Sequence, residues 1–192
     1  MLKRKIDFCF KGNRNYVHGT DMFNSLIKIF DKDITNIDFM IYKTTDKNII
    51  VTDSNTDNTE NLVFKFLFVK DNKKRLLYGL ETDEKIKCRY DYDEKSIIDL
   101  SFINLDKKYI FSQKETKYSF IESIVAMNKY LLNNLFKIEK GKWYFTRLQL
   151  KKIPENYLPL KLVFVKSFNL KLTKTEIFID NQSLGYIYFS LV

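Results

Sequence analysis

The sequence predicts an α+β fold made of two fused units, each an antiparallel sheet wrapped around one long apolar helix. Three observations lead there. Apolar residues recur at helical spacing in two places, just after residues 20 and 119, while most other apolar residues alternate in short runs as in strands. The order strand, helix, several strands then occurs twice, with a join near residue 104. A doubly wound sheet would instead alternate helices and strands along the chain. The predicted units are 1–104 and 105–192, packed as one pseudo-dimeric domain. A chain of 192 residues buries roughly 70% of its unfolded surface, enough for one large domain or two fused small ones. A single antiparallel β-sandwich with two helices and a two-domain α+β protein share the same element list.

The first element, Lys5-Ile6-Asp7-Phe8-Cys9-Phe10, alternates as a strand does, and Lys11-Gly12-Asn13 breaks it. After Tyr16-Val17-His18-Gly19 comes an apolar set at Met22, Phe23, Leu26, Ile27 and Phe30. Steps of one, three and four residues mark one face of a helix, which Thr20 or Asp21 is placed to cap. Strands are predicted over 37–44, 62–70, 76–82, 86–92 and 97–103. Asp71-Asn72-Lys73-Lys74 is the hairpin turn between two of them. The polar segment 52–61 (TDSNTDNTEN) reads as a mobile loop inside a unit.

The order then restarts. Lys108-Tyr109-Ile110-Phe111 is strand-like. Phe120, Ile121, Ile124, Val125, Tyr130, Leu131, Leu132 and Leu135 recur at helical spacing and make the second helix. Strands resume over 142–150, 160–168, 174–179 and 185–192, with Asp180-Asn181-Gln182-Ser183 as the last turn. Identity between the halves is weak, so the repeated order carries the reading.

Composition narrows the function classes. An aromatic content of 16% excludes disorder, and 5 Gly with 2 Pro exclude collagen-like and linker-like chains. No apolar run approaches the ~18 residues that span a bilayer, and the N-terminal MLKRKIDFCFKG is not a secretory signal. Cys9 and Cys88 stand apart with no C-x-x-C, which predicts reduced, partly buried thiols in a cytoplasmic protein. Lys+Arg exceed Asp+Glu by 33 to 24, so the net charge is +9, but the basic residues lie in short groups. So spread a charge reads first as a solvated surface, with an acidic carrier protein or a phosphate-bearing cofactor as the partners it would suit and nucleic acid behind them.

The single histidine, His18, precedes the first helix. A helix N-terminus presents free N–H groups and the positive end of its dipole, which favours the neutral ring. A neutral imidazole in an apolar wall can take a proton beside a carbonyl. Gly19 lets backbone N–H groups approach a ligand, and a carbonyl held over that helix end is polarised as in an oxyanion hole. Tyr16 stands beside this segment as a further candidate substrate contact.

Both the element order and the position of His18 resemble the hotdog fold, and two copies in one chain resemble a double hotdog. In the β-hydroxyacyl-thioester dehydratases of that superfamily, which also holds thioesterases, a histidine before the central helix works with an acid on the neighbouring unit's helix. On this chain the resemblance implies His18 as base and Glu122, in Ser119-Phe120-Ile121-Glu122-Ser123, as acid. It further implies elimination of water from an acyl thioester carried by coenzyme A or an acyl carrier protein. No cofactor is implied beyond the coenzyme A or phosphopantetheine of the substrate, and a homodimer is compatible with the fold. The chain departs from the pattern in lacking the Pro- and Gly-rich segment around the histidine, and its second half has no histidine. A non-catalytic binding or scaffold protein of the same fold is therefore the alternative.

Other chemistries find little support. One His and two distant Cys cannot close a zinc site, and Asp53, Asp57 and Glu60 match no calcium loop. Neither a P-loop, a dinucleotide fingerprint nor a G-x-S-x-G elbow occurs. In Lys142-Trp143-Tyr144-Phe145-Thr146-Arg147, strict alternation puts Lys142, Tyr144 and Thr146 on one face and Trp143, Phe145 and Arg147 on the other. Exposed, the aromatic face would stack bases and make a single-stranded nucleic-acid binder; buried, it is core.

Overall fold

Three phenylalanines two residues apart, Phe64, Phe66 and Phe68, show how the first core is built. They lie on β5 (Leu62–Lys70), and the pleat sends all three to one face, where each is fully buried. The computed structural model describes residues 1–30, 33–54, 60–169 and 171–192. The chain divides into two compact units, Met1–Tyr92 and Asp93–Val192.

The first unit contains β1 (Lys3–Ile6), β2 (Phe10–Lys11), α1 (Gly19–Phe30), β3 (Thr35–Ile41), β4 (Lys47–Thr52), β5, β6 (Lys73–Lys85) and β7 (Arg89–Tyr90). Its main sheet has the order β1-β4-β6-β5-β3, every neighbouring pair antiparallel. The turn between β5 and β6 is tighter than the sequence suggested. Lys70 pairs directly with Lys73, and Asp71 and Asn72 take φ of 52° and 57°, as a two-residue hairpin turn of the favoured hand requires.

α1 lays its apolar face on this sheet. Between ring centres, Phe23 meets Phe39 at 5.7 Å and Phe66 at 6.2 Å, and Phe30 meets Phe68 at 4.8 Å with the rings tilted by 47°. Burying each such ring contributes roughly 1.5–3 kcal/mol. Gly79 lies opposite Phe64 in the register, and a Cβ there would stand 2.2 Å from that ring, so the large residue demands the small one.

Several expectations need correction. The single strand over 5–10 is split into β1 and β2, and the strand over 86–92 shrinks to β7. β7 pairs with β2 in parallel, Phe10 opposite Arg89 and Lys11 opposite Tyr90. Just before that pair, Cys9 and Cys88 are joined as a disulfide, with Cα atoms 4.7 Å apart across 79 residues of chain. The expected reduced thiols are thus overturned: distance along the chain says nothing of distance in space, and the two-strand ladder sets the cysteines side by side. β4 was not anticipated, because its Asn48 interrupts the apolar run. In the structure Asn48 is buried, and its side chain accepts a hydrogen bond from the Phe8 N–H at 2.9 Å. Of the polar segment 52–61, residues 55–59, Asp57 among them, lie outside the described residues.

The second unit contains α2 (Lys95–Ile98), β8 (Phe102–Asn104), β9 (Tyr109–Ser112), α3 (Phe120–Leu135), β10 (Trp143–Lys152), β11 (Leu160–Phe168), β12 (Leu172–Ile179) and β13 (Gln182–Leu191). Its sheet runs β10-β13-β12-β11-β9-β8, again antiparallel throughout. The strand predicted over 97–103 is instead a short helix followed by β8. Ile97 is the buried residue of that turn, and the Ser101 hydroxyl closes it onto the Ile97 carbonyl at 3.0 Å. The sequence boundary at 104 coincides with the end of β8, whereas in space α2 and β8 belong with the second unit through β9 and α3.

α3 is buried on most sides, with Ile121, Ile124, Val125, Leu131 and Leu132 in the core as their spacing predicted. A bulge between Phe145 and Arg147 resets the alternation of β10. Trp143, Phe145, Leu148 and Leu150 point inward, and Arg147 moves to the Tyr144 face, away from Trp143. Trp143 and Phe145 retain 6% and 8% of their exposure, so neither is available to stack on a base.

Candidate functional site

His18 stands at the start of α1, and its carbonyl accepts the N–H groups of Asp21 at 2.9 Å and Met22 at 3.2 Å. It therefore occupies the cap position that the sequence assigned to Thr20 or Asp21, because Gly19 is already helical. The loop ahead of it is held by Val17 N–H, which donates to the Thr45 carbonyl at 2.8 Å. The imidazole is 8% exposed, and the Tyr16 ring lies 6.5 Å from it, tilted by 35°. Gly19, half-buried, opens the helix next to it. His18, Tyr16 and Gly19 are thus together at one helix terminus of the first unit.

Around His18 is a polar network that the sequence did not reveal. Thr20 is fully buried, and its Oγ1 lies 2.7 Å from His18 Nδ1, 3.1 Å from Lys11 Nζ and 3.3 Å from Asp21 Oδ1. Lys11 is fully buried as well and forms an ion pair with Asp21 at 3.1 Å. Its ammonium also sits over the Tyr92 ring, 4.3 Å from the centre. The other carboxylate oxygen of Asp21 accepts the Tyr90 hydroxyl at 2.7 Å. A buried charge is tolerated only when paired and hydrogen-bonded, which is the condition met here. The network depends on the β2–β7 ladder, since Lys11 and Tyr90 are its second residues. Arg89 on the same ladder donates to the carbonyls of Gly12 and Arg14 and to Asn15 Oδ1, tying down the turn that leads to His18.

Glu81 of β6 forms ion pairs with Lys43 at 3.1 Å and Lys47 at 3.8 Å. Burial pushes its carboxyl up, but hydrogen bonds from Lys43 and Thr45 and the two lysine charges outweigh that. The group is held below the ordinary value of 4.5. The same Thr45 whose carbonyl anchors Val17 thus also touches Glu81.

Glu122 lies in the second unit, in the first turn of α3. Its carboxylate accepts the Ser119 N–H at 2.9 Å while its own N–H donates to Ser119 Oγ at 3.4 Å, which makes a capping box, and the Ser119 hydroxyl also donates to the carboxylate at 2.6 Å. Deeper in α3, Asn128 is fully buried, and neither polar atom of its side chain has a partner among the described residues.

A cleft of about 550 Å³ opens elsewhere in the first unit, between Asp7, Phe8, Asn48 and residues 84–88. His18, Tyr16 and Gly19 are not in its lining. Asp53, considered for calcium, instead accepts the Leu2 N–H at 2.9 Å. None of the helices among the described residues is long and apolar enough to cross a membrane.

No family model matches the chain, and no curated protein matches it. Among solved structures it is similar to a monomeric dehydratase domain from a trans-AT polyketide synthase split module, at 10% identity over the whole of both chains, TM-score 0.46. It is also similar to a putative thioesterase II from Thermobifida fusca, at 8% identity over 99% of this chain and 92% of that one, TM-score 0.46. A hot dog fold protein of unknown function from Alicyclobacillus acidocaldarius matches at 6% identity over 98% and 90% of the two chains, TM-score 0.46. Each of these likenesses is weak, with identity of 10% or less and a TM-score below 0.5.

Proposed function

We propose that this protein binds an acyl thioester and uses His18 as the general base of a dehydratase-like reaction. The observation that carries the reading is the setting of His18. The imidazole is nearly buried, and Nδ1 is held at 2.7 Å by a buried hydroxyl at the N-terminus of an apolar helix. A histidine kept as a surface residue has no need of that support.

In the forward reaction His18 takes the proton on the carbon next to the thioester carbonyl. The electron pair forms the C=C bond as the β-hydroxyl leaves, and the departing oxygen takes one proton to become water. The N–H groups at the start of α1 polarise the carbonyl on which charge develops, and Gly19 leaves room for that approach. Tyr16 contacts the acyl group beside the imidazole. Glu122 is the proton donor assigned by the hotdog resemblance, and its role is tested separately from that of His18. Coenzyme A or an acyl carrier protein bears the acyl group, and the +9 charge suits the phosphates of either carrier. That substrate class fits the cytoplasmic location expected from the sequence, whereas the Cys9–Cys88 disulfide counts against it.

An assay of the purified protein with crotonyl and 3-hydroxyacyl thioesters tests the reading. Hydration or dehydration is expected, with His18→Ala slower by about 10²–10⁴-fold, the usual contribution of a positioned base. Full activity in His18→Ala removes the base. Acyl-ligand binding without turnover in either protein leaves a binding protein of the same fold.

A further inference from the structure

We propose that Thr20 is the positioning residue of His18, with Lys11 and Asp21 setting the direction of its hydroxyl. The imidazole then carries its proton on Nδ1 and keeps Nε2 as the proton acceptor. The proposal rests on His18 being the base and says how that base is prepared.

The argument is one of donors and acceptors around a single oxygen. Thr20 Oγ1 has one hydrogen and two lone pairs, and it has three polar neighbours: Lys11 Nζ, His18 Nδ1 and Asp21 Oδ1. Lys11 is a donor only, so it takes one lone pair. Asp21 is an acceptor whose Oδ1 also receives Lys11 at 3.1 Å, so it takes the hydroxyl hydrogen. The second lone pair remains, and Nδ1–H of His18 fills it at 2.7 Å. In this arrangement each of the three neighbours fills one bonding position of the Thr20 hydroxyl.

The opposite arrangement, with the hydroxyl donating to Nδ1, is poorer on two counts. It sets an oxygen lone pair of Thr20 against the Asp21 carboxylate, and it leaves that lone pair without a donor. Thr20 is fully buried, so water has no access to make up the difference. The Lys11–Asp21 pair is what makes the two choices unequal. Lys11 approaches from the acceptor side of the hydroxyl and Asp21 from its donor side, so the hydrogen is drawn away from the imidazole. Tyr90, donating to the second Asp21 oxygen at 2.7 Å, fixes the carboxylate in that position.

One histidine in the chain means that one imidazole gives every histidine signal. A two-bond ¹H–¹⁵N correlation spectrum of the uniformly labelled protein, taken about two pH units above the ordinary histidine value of about 6.5, reads the tautomer directly. The expected result is a protonated, pyrrole-like Nδ1 and a bare, pyridine-like Nε2. Thr20→Val keeps the volume and loses the hydroxyl, so the shift difference between the two nitrogens should collapse or reverse. Thr20→Ser should restore the wild-type pattern. A wild-type spectrum with the proton on Nε2, or a Thr20→Val spectrum identical to wild type, overturns the proposal even if no variant is made or tolerated beyond these. On a turned-over acyl thioester, Thr20→Val should lower kcat by about 10²-fold with KM little changed, and Thr20→Ser should recover it. Absence of any turnover in the wild type would remove the base reading while the tautomer measurement still decides the geometry.

Discussion

Lys11 is an unremarked residue in the sequence, the first of a Lys-Gly-Asn turn, and it is fully buried in the structure. Lysine at a strand end is ordinarily solvated, so composition and spacing argue against such a role. Its partners explain the exception: Asp21 lies ten residues away, and Tyr90 and Tyr92 lie about eighty away, brought in by the β2–β7 ladder. His18, by contrast, was legible, because a lone histidine before a helix is a local feature. Glu122 was legible both as a helix-start residue and as a candidate acid, and one substitution separates the two. Glu122→Gln preserves the capping box, since glutamine serves equally at that position. It should therefore unfold at the wild-type temperature and lose about 10²–10⁴-fold in turnover. Glu122→Ala should lose the turnover and also about 0.5–2 kcal/mol of stability. Full turnover in Glu122→Gln would leave Glu122 a cap only.

At the scale of elements, the two helices and the long strands follow from periodicity, because their apolar faces repeat over many residues. The short elements do not. β7 pairs over two residues and α2 has four, too few for any period to emerge from the sequence. The bulge in β10 is equally silent, as one extra residue reverses the face of everything after it. The Glu81 cluster, which joins β6 to the segment carrying Thr45, makes a prediction at this scale. Because its folded value lies below the unfolded 4.5, Glu81 stabilises the protein above that pH, and the contribution disappears as pH falls through the folded value. Glu81→Gln should lower stability at neutral pH and flatten the stability curve below about 4.5. Parallel acid limbs in the two proteins, followed by circular dichroism in urea, would show that Glu81 contributes nothing to it.

The whole molecule poses the question of the disulfide. The bond closes a loop of 79 residues of chain separation, nearly all of the first unit, and lies one residue from the ladder that supports Lys11 and Tyr90. Loop closure of that size removes much conformational freedom from the unfolded chain, and such bonds contribute typically about 2–4 kcal/mol. The Cys9→Ser, Cys88→Ser double variant should be less stable by that amount in denaturant. Thiol titration of the native protein should find no free cysteine, and two titrating thiols at undiminished stability would refute the bond. Persistence of the bond points to oxidising surroundings, opposite to the compartment that two scattered cysteines suggested.

The sequence by itself determined the α+β class, the periodic helices α1 and α3 and the placing of a histidine at a helix start. Each of these is written in neighbours a few residues apart, where apolar period and capping chemistry act. Tertiary structure alone decided the parallel β2–β7 pair, the Cys9–Cys88 bond and the burial of Lys11 against Asp21. Those features join residues as many as 79 apart, and such contacts are selected by the packing of the finished core, which no local pattern encodes.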